Sequence, residues 1–407
     1  MRVPFVDLRA QHQELWTEIE AVFRTALEES AFIGGCRVAS FEDSFARFCG
    51  AQHAIAVASG TEALELSLRA LKIGRGDLVL TVANTFIATV EVAVRLGAVP
   101  RFLDIDPATY TVDIEQLRRY LEDLCETGED GAARERESGL RVAAVLPVHL
   151  YGLPARMTEI LELARRHRLE IIEDACQAHG AELRQADGRW VKAGTLGRTG
   201  CFSFYPSKNL GALGEAGAIL TNDSELAQRL RLLHDHGQRE RYVHVFAEGG
   251  NGRMDAIQAA VLELKLSRLA AWNKRRRQAA AWYAEELADL PLQLPVEPEG
   301  SRHVYHLYVV RLHERDRVRD YLTQHGIGTG LHYPIPLHLQ PALAHLELGP
   351  GSFPVTEAAA AEILSLPMYP HISREQVAYV ADRLREAVAK SPTPDRQAHP
   401  RSDFAHR

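Results

Sequence analysis

The chain has 407 residues, of which 46% are hydrophobic and 25% are charged, and its formal net charge is −7. These values are ordinary for a globular protein long enough for one large and one smaller domain. The negative charge argues against a nucleic-acid or membrane surface as partner, and no apolar run is long enough to cross a bilayer. The amino-terminal sequence has no apolar signal core, so we expect a cytoplasmic protein. Its five cysteines are predicted to be small buried apolar residues, and no metal site is expected.

The first part of the chain alternates helical and strand patterns, as an α/β domain with a mostly parallel sheet requires. Helices are predicted at 13–29, 38–49, 62–71 and 87–96, and strands at 53–59, 77–81, 99–103 and 142–147. The charged segment 122–139, EDLCETGEDGAARERESG, is predicted to be a solvated helix end and loop.

A first candidate binding element follows the strand at 53–59, where Gly60 and Thr61 precede the helical pattern EALELSLRAL. The free N–H groups and the dipole of a helix start attract anions such as a phosphate. The same Ser-Gly-Thr sequence also makes an ordinary helix cap, so both interpretations stay open for this segment.

The apolar run LEIIEDAC, 169–176, predicts a buried strand that ends in two carboxylates. In a parallel sheet this end opens onto the ligand crevice. We expect Asp174 to face a ligand there and Glu173 to be solvated. His149 and His179, on either side of this strand, are predicted to be core or supporting histidines.

Lys208 stands on a turn between predicted strands at 200–205 and 216–221. Ammonium groups are rarely buried without a partner, and burial lowers the lysine pKa until the amine can form a Schiff base with an aldehyde. Pyridoxal phosphate is the obvious aldehyde, although an exposed loop lysine is the alternative. The glycines of this segment precede a strand instead of a helix, which disfavours a nicotinamide-binding fingerprint.

In the pyridoxal phosphate hypothesis, Asp174 faces the protonated ring nitrogen and keeps the ring an electron sink. Gln177, one turn further on, forms a hydrogen bond with the ring hydroxyl. Ser203 and Ser207 add hydroxyl donors to the phosphate site.

The remaining sequence predicts long helices from Met254 to Asp289 and then a smaller α+β unit. The predicted organisation is a large cofactor-binding domain over 1–265, a small C-terminal domain over 266–390 and a disordered polar tail over 391–407. In the segment TGLHYPIPLHLQPA, prolines hold an extended loop that carries candidate binding groups.

The motifs SGTEAL, EDACQAHGA, CFSFYPSKNLGALGEAGAILTND, NGRMDAIQAAVL and TGLHYPIPLHLQPA, in this order, resemble those of the DegT/DnrJ/EryC1/StrS aminotransferases. These are pyridoxal phosphate enzymes that put amino groups on nucleotide-linked keto sugars. The resemblance extends from Val3 to Ala387. It implies an α/β protein of the fold-type I aminotransferase class, with a large mostly parallel α/β domain and a smaller C-terminal α+β domain.

The resemblance also implies roles for individual residues. Lys208 would attach the cofactor, and Asp174 and Gln177 would contact the ring. The phosphate and the ring face would be held by Gly60, Thr61, Ser203 and Phe86. Asn251 would reach the cofactor phosphate of a second subunit, which makes the protein a homodimer with shared active sites. The nucleotide sugar would meet Tyr205, Tyr333 and Arg241, although many members have lysine where this chain has Arg241. His332 and His338, on the loop held by prolines, are further candidate substrate contacts, with a core or supporting role as the alternative for each.

The predicted reaction is a ping-pong transamination, in which glutamate gives its amino group to the cofactor and a keto sugar nucleotide then receives it, with the 3-position favoured. The alternatives are a 4-keto-sugar or keto-cyclitol aminotransferase and a non-catalytic regulator of the same fold. A dehydratase of the family has histidine in place of the lysine, which Lys208 argues against. The nucleotide, dTDP or UDP, is left open.

Overall fold

The computed structural model describes residues 1–389, so the predicted tail, 391–407, lies outside the described residues. The strands are β1 (His53–Val57), β2 (Asp77–Val82), β3 (Val99–Leu103), β4 (Cys125–Thr127), β5 (Ala133–Glu135), β6 (Arg141–Val145), β7 (Glu170–Asp174), β8 (Glu182–Arg184), β9 (Trp190–Lys192), β10 (Thr199–Ser203), β11 (Gly217–Thr221), β12 (Gln238–Glu240), β13 (Val243–His244), β14 (Ser301–Arg302), β15 (Tyr308–Arg311) and β16 (Ile363–Leu366).

The helices are α1 (Leu8–Gln13), α2 (Trp16–Glu29), α3 (Cys36–Cys49), α4 (Gly60–Ala70), α5 (Ala88–Arg95), α6 (Ile114–Asp123), α7 (Met157–His167), α8 (Ser224–Leu233), α9 (Ala256–Leu287), α10 (Arg315–Gln324), α11 (Pro354–Glu362) and α12 (Arg374–Ala389). Short 3-10 turns cover Leu150–Gly152, Leu337–Leu339 and Pro341–Leu346.

The centre of the molecule is a sheet in the strand order β1-β11-β10-β7-β6-β2-β3, with the hairpin β4–β5 joined to β6. Strands β10, β7, β6, β2 and β3 run parallel, whereas β11 is antiparallel to both of its neighbours. Every residue of β2 is buried, as expected for a parallel strand covered on both faces by helices. The predicted α/β class with a mostly parallel sheet is confirmed.

A smaller region follows the first half of α9, in which β15 pairs antiparallel with β16 beside α10 and α12. The Tyr283 and Tyr308 rings stack in its core with centroids 4.8 Å apart. Val3, at the other end of the chain, packs into the same apolar cluster. Helix α9 is continuous across 265–266, so the predicted domain boundary falls inside a helix.

Two local predictions hold in part. Segment 122–139 contains the predicted helix end, since α6 ends at Asp123, but its loop is the hairpin β4–β5, in which Cys125 and Ala133 are buried and Glu135 accepts bonds from the side chains of Arg101 and Tyr120. The helix predicted at 13–29 is found as α2 from Trp16 onward, and it begins after Leu15, which is fully buried with non-helical backbone angles.

The cysteine prediction holds in part. All five cysteines are free, and Cys49, Cys125 and Cys201 are buried, but Cys36 is exposed and Cys176 is half-buried. Within residues 1–389, no cluster of three or more metal-binding side chains is present, and no helix is both long and apolar enough to cross a membrane.

Candidate active site

A cavity of about 510 Å³ lies where β7 and β10 end and α4 begins. It brings together most of the residues singled out from the sequence: Gly60, Thr61, Phe86, Asp174, Gln177, Ser203, Tyr205, Ser207, Lys208, His332 and Tyr333. It is also lined by residues that sequence reasoning missed, among them Thr85, Thr89, Cys176, Glu215 and His306. The predicted site residues Arg241, Asn251 and His338 lie outside its lining.

Lys208 is held on the tight turn that follows β10. Its backbone N–H donates to the Tyr205 carbonyl over 2.8 Å, and the Ala212 N–H, at the end of the turn, donates to the Phe204 carbonyl over 2.7 Å. Burial lowers the pKa of the Lys208 amine, against the opposing attraction of Cys176 and Asp174. A larger share of the amine is therefore unprotonated near neutral pH than in a free lysine, which is what a nucleophilic amine requires.

Asp174 ends β7 and is 6% exposed. Its Oδ2 accepts a bond of 2.8 Å from the Thr89 hydroxyl, and its Oδ1 accepts one of 3.2 Å from the Cys176 N–H. The Thr89 hydroxyl in turn lies 3.0 Å from that of Thr85. Because a carboxylate has about four acceptor positions, Asp174 keeps acceptor capacity for a protonated nitrogen in the cavity.

Glu173, predicted to be solvated, is instead fully buried. Its carboxylate lies 2.8 Å from His149 Nε2 and accepts three bonds of 2.6–2.8 Å from the backbone N–H groups of Gly194, Leu196 and Gly197. His149 Nδ1 accepts from the Ala155 N–H, so the ring proton sits on Nε2 and is donated to Glu173. The prediction failed because the partners of this carboxylate lie 21–24 positions away along the chain, His149 before it and the three backbone donors after it.

His149 and His179 are both fully buried, which confirms their prediction as core or supporting groups. Burial lowers the pKa of His179 to about 3, and its ring lies against the edges of Phe202 and Phe204. Neither histidine lines the cavity.

The start of α4 fits both interpretations that the sequence left open, a helix cap and an anion site. The Ser59 hydroxyl caps the helix by accepting from the Glu62 N–H over 3.0 Å. A Cβ on Gly60 would lie 2.7 Å from Ser203 Cβ and 2.8 Å from Cys176 Sγ, so only glycine lets the helix start approach β10 this closely. The helix dipole and hydroxyl groups thus meet at one wall of the cavity, where a phosphate group fits.

Gln177 connects the cofactor side of the cavity to the loop that carries His332 and Tyr333. Its Oε1 accepts from the Tyr151 N–H over 2.7 Å, and its Nε2 donates to the Tyr333 hydroxyl over 3.1 Å. One amide N–H of Gln177 therefore remains for a ring hydroxyl. His332 Nδ1 lies 2.8 Å from the Ser365 hydroxyl. Burial, and then the positive charge of the nearby Lys208, lowers the pKa of His332 to about 4.

The mouth of the cavity is more open. Phe86 is 55% exposed and Tyr205 is 50% exposed, and the Phe86 ring lies 5.9 Å from that of Tyr333. The predicted substrate contact of His338 does not match its position, because its side chain is buried, with Nε2 3.0 Å from Glu357 and the ring against Phe353. His338 supports the loop from behind.

These residues fit pyridoxal phosphate. An amine of lowered pKa for the aldehyde, a carboxylate for the ring nitrogen and a helix start for the phosphate surround one cavity, whose volume is in the range of small-molecule sites. The sequence around the missed residues does not mark them as part of a site. Thr89 lies inside a helix and His306 beside a strand, and each is far along the chain from Asp174 and Lys208.

The sequence profile of the DegT/DnrJ/EryC1/StrS aminotransferase family matches residues 13–385. The chain is 43% identical to the erythromycin biosynthesis sensory transduction protein EryC1 of Saccharopolyspora erythraea, over 95% of this chain and 99% of that protein. It is 42% identical to the dTDP-3-amino-3,4,6-trideoxy-alpha-D-glucose transaminase of Streptomyces venezuelae, over 95% and 96% of the two chains.

A crystal structure of S. venezuelae DesV in complex with a ketimine intermediate superimposes with a TM-score of 0.88 at 41% identity, over 96% of this chain and all of that one. Profile, relatives and fold agree with the site geometry. The chain belongs to the DegT/DnrJ/EryC1/StrS aminotransferase family, and it is an aminotransferase that depends on pyridoxal phosphate.

Proposed function

We propose that this aminotransferase moves an amino group from glutamate to the 3-position of a keto sugar linked to a nucleoside diphosphate. The observation that carries the site assignment is that Lys208, whose amine has a lowered pKa, lines the same cavity as Asp174. The name of the S. venezuelae transaminase, a 3-amino sugar enzyme 42% identical to this chain, supports the 3-position. The nucleotide stays open, and a cytoplasmic location stays a prediction.

Bound pyridoxal phosphate supplies an aldehyde and a ring that withdraws electrons from the reacting carbon. The Lys208 Nζ would be the nucleophile that holds it and, once released, the base that would take the proton from the α-carbon of the amino donor and deliver it to the 4′ carbon of the cofactor. Asp174 holds the proton on the ring nitrogen, and Thr89 and the Cys176 N–H keep that carboxylate in place. The Gln177–Tyr333 bond holds the loop that closes one side of the site and excludes water.

The direct test incubates the purified protein with glutamate and a panel of dTDP- and UDP-linked 3-keto and 4-keto sugars. We expect amination of a 3-keto substrate, detected as product mass and as 2-oxoglutarate released. Turnover of only 4-keto sugars or keto-cyclitols would contradict the 3-position. A protein without turnover and without the visible absorbance of lysine-bound pyridoxal phosphate would instead be a regulator, the function that the name of EryC1 suggests for that relative.

We further propose a homodimer with shared active sites. Arg241 and Asn251 are exposed and lie outside the cavity of their own chain, so they can take their predicted roles only in the site of a second copy. Large apolar side chains are exposed on α2, on the segment after it and on the hairpin β12–β13, and they supply apolar area for a contact with a second copy: Trp16 (65%), Phe23 (38%), Leu27 (68%), Phe32 (42%), Ile33 (61%) and Tyr242 (77%). A two-fold contact covers this surface in our proposal.

Mixing two inactive variants tests the shared site. Lys208→Ala and Asn251→Asp each disable every site in their homodimers, the second because a carboxylate repels the cofactor phosphate. In a heterodimer, one site has both changes and the other has neither, so we expect partial recovery of activity. No recovery in verified heterodimers, or a fully active monomer by light scattering, would contradict the proposal.

A further inference from the structure

Two threonine hydroxyls and the carboxylate of Asp174 form a short chain of hydrogen bonds along one wall of the cavity. Thr89 Oγ1 lies 2.8 Å from Asp174 Oδ2, and Thr85 Oγ1 lies 3.0 Å from Thr89 Oγ1. All three residues line the cavity, and none is more than 6% exposed. In such buried surroundings neighbouring hydrogen bonds influence one another more strongly than they do in water.

The number of hydrogens fixes the direction of this chain. The ionised carboxylate is the form that pairs with a protonated ring nitrogen, and it only accepts, so the single Thr89 hydroxyl hydrogen is donated to Asp174. The Thr89 oxygen can then only accept from Thr85, whose hydroxyl is therefore the donor of the second bond. Both hydroxyl hydrogens are donated along the chain toward Asp174.

The start of α5 holds both hydroxyls in place. Thr89 is the second residue of this helix, and its N–H donates to the Phe86 carbonyl over 3.2 Å. Thr85 lies directly before Phe86, on the loop that leads into the helix. Threonine is β-branched and has few side-chain conformations, so neither hydroxyl has to be ordered when a ligand binds.

The bond from Thr89 is also shorter than the one that Asp174 Oδ1 accepts from the Cys176 N–H, at 3.2 Å. A hydroxyl that accepts a hydrogen bond becomes a better donor, so Thr85 strengthens the bond from Thr89 to Asp174. A donor of this kind stabilises the charged form of a carboxylate relative to its protonated form.

We propose that Thr89, polarised by Thr85, is a positioning residue for transamination. It keeps the proton that Asp174 shares with bound pyridoxal phosphate on the ring nitrogen instead of on the carboxylate. The protonated ring is the form that withdraws electrons strongly from the reacting carbon. This inference rests on the proposed pairing of Asp174 with the ring nitrogen.

Substitutions of nearly equal shape test the chain of hydroxyls. Thr89→Val removes the inner hydroxyl and keeps the branched side chain, Thr89→Ser keeps the hydroxyl, and Thr85→Val removes only the outer donor. The rate at which saturating glutamate converts the bound cofactor is measured in a single turnover. We expect it to fall about tenfold in Thr89→Val, about threefold in Thr85→Val and less than twofold in Thr89→Ser.

A double variant, Thr85→Val with Thr89→Val, separates an action through Thr89 from an independent effect of Thr85. Because Thr85 acts through Thr89, its hydroxyl should have no further effect once the Thr89 hydroxyl is gone. The single-turnover rates of Thr89→Val and of the double variant should therefore agree within about twofold. Reductions that multiply would overturn the role given to Thr85.

A second measurement does not depend on turnover. Pyridoxal phosphate with an NMR-active nitrogen isotope in its ring is bound to each variant, and the chemical shift of that nitrogen reports whether it carries a proton. We expect a protonated nitrogen in the wild type and in Thr89→Ser. The shift should move toward the unprotonated value in Thr89→Val, and in the same direction by a smaller amount in Thr85→Val.

Thermal unfolding of each apoprotein provides the control for folding, and Thr85→Val replaces Thr89→Val if the latter does not fold. An unchanged nitrogen shift in the valine variant, or a Thr89→Ser protein as slow as Thr89→Val, would overturn the proposal. Failure of the underlying assignment looks different, because Asp174→Asn would then also leave the nitrogen shift as it is in the wild type.

Discussion

The inner wall and the mouth of the cavity differ in how their polar groups are held. Asp174 lies on the inner wall, with Glu173 and Asn209 behind it, and each of the three has its side chain bonded to other parts of the same chain. At the mouth, Phe86 and Tyr205 are half exposed. The carboxylate assigned to the chemistry is therefore positioned before any ligand binds, whereas the two aromatic side chains at the mouth are left for a ligand to order.

A similar contrast separates the two adjacent carboxylates at the end of β7. Glu173 is enclosed by four donors, and its bonds hold the loop 194–197 against β7. Asp174 has two donors and faces the cavity. One carboxylate stabilises the fold and the next is available for a ligand. Replacing each by its amide should therefore lower stability at Glu173 and turnover at Asp174.

The largest effect is expected for Lys208→Ala. Turnover should be abolished, because the nucleophile and the proton carrier are the same atom. Weak pyridoxal phosphate binding should remain through the wall formed by Gly60 and Ser203. Initial rates on the amino acceptor check the prediction, and activity above a few per cent of the wild type would refute the assignment.

Asp174→Asn should reduce kcat about a hundredfold, or about 3 kcal/mol, because a neutral amide does not hold the ring-nitrogen proton. The midpoint of thermal unfolding should change little, since the amide oxygen can accept from the Cys176 N–H while the amide nitrogen donates to the Thr89 hydroxyl. Steady-state kinetics beside an unfolding curve measures both, and normal turnover would show that another group pairs with the ring.

Glu173→Gln makes the same chemical change one residue earlier and should act on stability. An amide nitrogen would meet backbone N–H donors in a fully buried place, which costs about 1–3 kcal/mol. The free energy of unfolding in urea should fall by that amount, while kcat per folded molecule stays within a few-fold. A dead but stable Glu173→Gln protein would exchange the roles given to the two carboxylates.

Arg241→Ala, on the exposed hairpin β12–β13, should have the smallest effect. We expect KM for the sugar nucleotide to rise about fivefold with kcat unchanged, equivalent to about 1 kcal/mol of binding. Arg241→Lys, which keeps the charge, is the matched control and should restore most of that loss. A fall in kcat for Arg241→Ala with KM unchanged would show that this residue acts in the reaction. It would then contradict the division between residues that react and residues that only bind the substrate.

Sequence patterns predicted what depends on neighbours in the chain. Strand periodicity placed Asp174 at a strand end, and two short strands placed Lys208 on the turn between them. They did not predict contacts made across the fold. Thr89 meets Asp174 from a helix 85 positions earlier, and Asn209 meets His306 97 positions later. Glu173 was misjudged for the same reason, because its donors come from a separate loop.

The most direct test of the account identifies the lysine that carries the cofactor. Holoenzyme is reduced with borohydride, digested, and its peptides are mapped by mass spectrometry for the pyridoxyl label. Lys265 is the natural internal control, since it is also buried, its pKa is lowered to about 8 by burial, and it donates to the Gly211 carbonyl over 2.8 Å. The account predicts label on Lys208 alone. Label on Lys265 or another lysine, with Lys208 unmodified, would contradict it.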